Sequence, residues 1–170
     1  MSKYSQFEEE QILDDLFKEI GTTNKYFVEI GCLPDGRLSN TMLLKEQGWV
    51  GHWFDMNDGV GIIKEFITAE NINDLMDKYN VPQSPDLMSI DVDGNDYHIF
   101  KALDRIPRVL IIEYNEHKEQ GVAEYIPEYV WDGRSRSFGT AKSDMVALAK
   151  DKGYSLKGQT TSNLILCKNQ

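Results

Sequence analysis

Carboxylates are the residues best placed to do chemistry in this chain, and they gather in a few short segments. The densest is Ser89-Ile90-Asp91-Val92-Asp93-Gly94-Asn95-Asp96, where three acids and an amide follow an apolar run. An EF-hand reading fails, because that loop wants glycine at its sixth position and Gly94 falls at the fourth. A helix cap by Asn95 or Asp96 explains part of the cluster. It does not explain Asp91 and Asp93, which precede the turn. Glu113-Tyr114-Asn115 ends a second aliphatic run, so Asp91, Glu113 and Asn115 could converge on one point. Oxygen donors from neighbouring strand ends, completed by water, are what Mg²⁺ accepts. His117, just beyond Asn115, is a candidate general base, with an exposed loop histidine as the plainer option.

Two further segments point to a ligand with a ribose. Glu29-Ile30-Gly31-Cys32-Leu33-Pro34-Asp35-Gly36 places a glycine directly after a β-prone run, where a ligand can approach the backbone. Gly31 and Gly36 lack the G-x-G-x-x-G spacing, which argues against a dinucleotide. Asp55 ends the next β-prone run, the place from which an acid binds the two hydroxyls of a ribose. Together they favour an adenosine-containing ligand without a pyrophosphate.

These residues need elements to hold them. Leu13, Leu16, Phe17 and Ile20 recur at helical spacing before Gly21, giving an N-terminal helix within 1–22 that packs on a sheet. Strands are expected at Tyr26–Ile30, Gly51–Asp55, Glu65–Ile67, Leu87–Asp91 and Arg108–Glu113, the last a continuous aliphatic run suited to burial on both faces. Helices are expected after Ser39 and after Thr68, then at Tyr97–Leu103 and Ala141–Lys152. Tyr154–Leu156 and Leu164–Leu166 close the chain as an antiparallel pair. Strand and helix alternate, so the fold class is α/β, a mostly parallel sheet with helices on both faces. The link after Asp55 is too short for a helical crossover and contains Gly59 and Gly61, so a loop or single turn is expected there. The polar and aromatic stretch 114–140 is long enough to be a substrate-side loop.

The 170 residues suit one domain over 1–170. Lys+Arg 18 against Asp+Glu 28 gives a net charge of −10, which disfavours a nucleic-acid partner. No apolar run is long enough for a membrane span and the first residues are polar, so a cytoplasmic location is expected. Cys32 and Cys167 are too few for a disulfide scaffold.

At this point the motifs resemble a family. Val28-Glu29-Ile30-Gly31 with Asp35-Gly36 and Ser39-Asn40-Thr41 resembles the first motif of S-adenosylmethionine-dependent methyltransferases of the FkbM-like group. Gly48-Trp49-Val50-Gly51 leading to Asp55 is similar to that group's second strand. The segments from Ser89 to Asp96 and from Ile112 to Asn115 resemble its fourth and fifth strand ends. Trp131-Asp132-Gly133, Phe138-Gly139 and Lys152-Gly153-Tyr154 continue the similarity, which covers most of 26–167.

The resemblance implies a Rossmann-like class I methyltransferase fold with an antiparallel last strand. It implies methyl transfer from S-adenosylmethionine to a hydroxyl of a small polar molecule or saccharide, with Mg²⁺ assistance as in some related O-methyltransferases. Glu29, Gly31, Cys32, Gly36, Asp55 and Asp91 would then face the cofactor, Asp91, Glu113 and Asn115 the metal. Asp91, Asp93 and His117 would serve catalysis. The competing reading is a non-catalytic nucleoside- or partner-binding module that keeps the fold.

Overall fold

Alternation of inward and outward aliphatic side chains decides which helix covers which face of the sheet. The computed structural model describes residues 2–169. Its elements are α1 (Glu9–Ile20), β1 (Tyr26–Ile30), α2 (Met42–Glu46), β2 (Val50–Asp55), β3 (Ile62–Lys64), α3 (Ile72–Lys78), β4 (Leu87–Ile90), α4 (Asp96–Ala102), β5 (Val109–Glu113), α5 (Lys142–Asp151), β6 (Tyr154–Gln159) and β7 (Asn163–Lys168). The seven strands form one sheet in the order β3-β2-β1-β4-β5-β7-β6. Pairs from β3 through β5 are parallel, and β7 runs antiparallel to both β5 and β6. This is the α/β class expected, with its reversed last strand.

Successive strand residues point to opposite faces. Val28, Ile30, Met88, Ile90, Leu110 and Ile112 pack with Ile72, Met76, Ile99, Phe100 and Met145 of α3, α4 and α5. The intervening Phe27, Leu87, Val109 and Ile111 pack with Leu13 and Leu16 of α1 and Leu44 of α2. Every residue of β5 is buried, as a strand covered on both sides requires.

The third strand departs from expectation. It is Ile62–Lys64, and Glu65–Ile67 lie just beyond it. Trp53, Phe54 and Asp55 pair with Ile62, Ile63 and Lys64, and the Glu65 amide closes the ladder on the Asp55 carbonyl at 2.9 Å. The chain returns to the sheet through a turn at Gly59–Ile62 with no helix in 56–61, so pairing starts earlier than the apolar pattern of 65–67 suggests.

At the opposite, amino-terminal ends of the strands, Asp86 binds three segments together. It has no exposed surface, and it accepts bonds from the amides of Thr23, Asn24 and Lys25, the Thr23 hydroxyl and Arg108 Nη1. Burial pushes its pKa up, but the bonds from Thr23 and Arg108 outweigh that and hold it below the usual carboxylate range. Asp86→Ala would orphan these donors beside a charge, so urea denaturation should show a loss of about 3–5 kcal/mol. A loss below about 1 kcal/mol would show that the clamp contributes little.

Candidate active site

In an open parallel sheet the crossovers part company where strand order reverses, and a crevice opens outside the carboxyl ends. Here that point lies between β1 and β4, whose crossovers lead to opposite sides. A cavity of about 210 Å³ occupies it, with Gly31, Asp55, Asp91 and Asp93 along its polar wall. Gly31 has φ +84°, and a Cβ there would lie 1.5 Å from the Asp91 carbonyl oxygen. Only glycine permits this approach of β1 to β4.

Asp55 turns one oxygen, Oδ1, to the amide and side chain of Asn57, at 2.7 and 3.0 Å, and among the described residues Oδ2 has no partner. Asp93 holds a left-handed backbone conformation at φ +58° and makes no side-chain hydrogen bond among the described residues. Burial, then the nearby Asp55 charge, raises its pKa.

Three of the residues expected at the cofactor stand elsewhere. Glu29 is 4% exposed, and its oxygens accept from Ser39 Oγ, the Asn40 amide and Thr41 Oγ1 at 2.6, 2.7 and 2.5 Å. Its carboxylate shapes the loop after β1 and does not line the cavity. Cys32 is buried with its thiol against the Phe54 carbonyl, and burial followed by the Glu29 charge pushes its pKa up to about 12. Cys32 and Gly36 line a separate cavity beneath Leu33, which belongs to both.

The acids beyond β4 and β5 gather differently from the expected set. One oxygen each from Asp91, Asp96 and Glu113 lies within 4.8 Å of the others. Asn115 is engaged by the loop that follows it. Its Nδ2 donates to the carbonyls of Arg136 and Phe138 at 2.8 and 2.5 Å, and its Oδ1 accepts from the His117 amide. Both ends of the amide are thus held by the following loop. His117 is exposed beside Glu116 and lines no part of the cavity. Burial, then mutual repulsion, raises the pKa of Asp91 and Glu113. Burial also raises Asp96, to about 6, against the pull of the Val92 and Gly94 amides.

Residues 14–156 match the Methyltransferase FkbM domain. The chain belongs to that family. A search of the curated proteins finds no significant match. Among the described residues no helix is long and apolar enough to cross a membrane. S-adenosylmethionine is the usual methyl donor of a methyltransferase family.

Part of the remaining wall of the cavity in this FkbM-family chain comes from the loop expected on the substrate side and from two residues that patterning placed inside a strand. Phe66 and Ile67, just past β3, flank one side, and Tyr129, Val130 and Trp131 of the 114–140 loop close another. That loop is tied down by side chains. Asn95 Nδ2 donates to the Ile126 carbonyl at 2.7 Å, and a His98 ring nitrogen lies 2.7 Å from the Ala123 carbonyl. The Tyr125 hydroxyl meets Glu70, and Trp131 stacks on Phe138 with ring centroids 5.0 Å apart. Tyr129 lies against Gly94, whose missing Cβ would fall 2.5 Å from the edge of the ring. Its length marked the 114–140 stretch as a substrate-side loop, but only the folded path, anchored at Asn95 and His98, reveals which of its residues line the cavity.

The raised carboxyls make stability depend on pH in a definite sense. Between unfolded values near 4 and the elevated folded ones, the native state binds more protons than the unfolded chain. In chelator, the urea midpoint should therefore fall as pH rises from about 5 to 7. Glu113→Gln should flatten that dependence, and a midpoint that climbs over this range would contradict the raised values.

Proposed function

We propose that this protein transfers a methyl group from S-adenosylmethionine to a hydroxyl oxygen of a small polar acceptor, the saccharide class included. The observation that carries the reading is the convergence of Gly31, Asp55, Asp91 and Asp93 on one switch-point cavity in an FkbM-family chain. Asp55 Oδ2, free of protein donors, would take the ribose hydroxyls as charge-assisted bonds. Met56, Phe66 and Ile67 would flank the adenine in place of the helix that the β2–β3 link lacks. Asp91 would face the methionine end, where its negative charge suits the cofactor's amine. The loop 114–140 would form the acceptor side through Tyr129 and Trp131.

Methyl transfer from a sulfonium is an in-line displacement. The acceptor oxygen forms a bond to the methyl carbon while the carbon–sulfur bond breaks and sulfur keeps the electron pair. Alignment supplies much of the rate. The hydroxyl proton needs a base, and Asp93 is a carboxylate of the cavity whose side chain makes no hydrogen bond among the described residues. Its pKa, lifted by burial and Asp55, brings it closer to a hydroxyl's needs than an exposed aspartate. A rigid left-handed turn aims it at one place.

Calorimetry with S-adenosylhomocysteine should detect binding to the purified chain. Asp55→Ala should weaken it by about 1–3 kcal/mol through loss of charge-assisted bonds. Unchanged affinity would remove Asp55 from the cofactor, and no binding by the parent chain would favour a non-catalytic module. Against a panel of monosaccharide and catechol hydroxyls, Asp93→Asn should lower kcat by about 10²–10⁴-fold while cofactor affinity stays within a factor of about three. Equal losses in both would make Asp93 a cofactor contact instead of a base.

A further inference from the structure

Asp91 just past β4, Asp96 in α4 and Glu113 in β5 each reach the cluster for a separate reason. Ile90 and Ile112 pair across β4 and β5, so Asp91 and Glu113 end neighbouring strands side by side. Asp96 enters from the first turn of α4. Its two oxygens are pinned by the amides of Val92 and Gly94, at 2.8 and 2.9 Å, which leaves each oxygen a further lone pair.

The second observation is Glu113 itself. The residue is 9% exposed, and its Oε2 is buried with no hydrogen-bond donor among the described residues. Buried carboxylate oxygens are normally satisfied, so an orphan one on a side chain that meets two more carboxylates calls for a partner. No lysine, arginine or histidine forms an ion pair with any of the three among the described residues.

We propose that Asp91, Asp96 and Glu113 form a binding site for a hard divalent cation, Mg²⁺ in the cell. The donor set is all oxygen, which selects Mg²⁺ or Mn²⁺ over the softer metals that favour nitrogen or sulfur. Ligand distances near 2.1 Å put octahedral oxygens about 3 Å apart when adjacent and about 4.2 Å apart when opposite. The 4.8 Å limit on the three oxygens embraces both separations. Asp91 also lines the switch-point cavity, so water or an acceptor oxygen has a way to the open positions. Asn115, committed to the loop, is replaced by Asp96.

The ion's part in methyl transfer rests on the function proposed above, whereas its binding does not. When bound, it would lower the pKa of an acceptor hydroxyl and fix its direction.

The test uses full-length protein stripped with chelator and titrated with Mn²⁺, read by electron paramagnetic resonance of the free ion and by calorimetry. One site per chain is expected, with Mg²⁺ competing for it. Glu113→Gln should weaken Mn²⁺ at least ten-fold while its melting temperature in chelator stays equal or rises, since a buried charge is removed. Asp96→Asn should also lose the ion. If its turn fails to fold, as near-ultraviolet circular dichroism would reveal, the Glu113→Gln result alone decides. Absence of Mn²⁺ binding by the parent chain, or equal affinity in Glu113→Gln, would overturn the site and leave the three acids sharing protons. S-adenosylhomocysteine binding, measured on the same samples, separates the two readings. Cofactor binding without Mn²⁺ binding sinks only the cation site, and the reverse sinks only the methyltransferase reading.

Discussion

The contact of the Gly31 backbone with the Asp91 carbonyl is the constraint on which both halves of the site depend. β1 and β4 are hydrogen-bonded neighbours, and the Asp91 amide still donates to Ile30 at 3.0 Å as the strands end. Any side chain at position 31 would have to occupy the space of the Asp91 peptide. Because nothing stands between the strand ends, Asp55 from β2 and Asp91 from β4 can share one cavity. The same left-handed residue sends the chain away from the crevice into the loop that Glu29 holds in place.

Two buried glutamates at the carboxyl ends of strands show how differently one residue type can be used. Glu29 meets three donors from the loop it organises, and Trp53 Nε1 adds a further bond to Thr41 at 2.8 Å. Glu113 meets two more acids and leaves an oxygen without a donor. A satisfied carboxylate stabilises the fold around it. An unsatisfied one beside like charges costs stability in the empty protein, and that cost is recovered only by a proton or a cation.

Much of the architecture was legible because burial leaves its mark on sequence. The aliphatic run of β5 could hardly be anything other than a doubly covered strand, and Asp55 and Asp91 could be placed at strand ends from the apolar runs before them. Side-chain commitment was not legible. Glu29 and Asn115 are polar residues beside a cavity, and only the three-dimensional path of their loops shows that their atoms are already taken. Asp96 reads as a helix cap, but its oxygens accept the Val92 and Gly94 amides that precede α4; those bonds use one lone pair per oxygen, and the sequence cannot show where the others point. Phe66 fell inside an expected strand because its neighbours are β-prone, whereas the register of Trp53 on Ile62 ends the pairing at Lys64.

The loop over the crevice has its two ends pinned together, since Asn115 bridges to Ala141 and its amide donates to the Thr140 carbonyl at 2.9 Å. A hoop closed at its base carries little of the sheet's register, and lengthening it costs only a slowly growing closure entropy. Its interior can therefore drift in length and composition while the strands beneath keep their pairing. On the function proposed above, acceptor preference can then change with the hoop while the sheet beneath it stays the same. Evolution, or a protein engineer, can exchange what the hoop contains without reopening the question of how the rest folds.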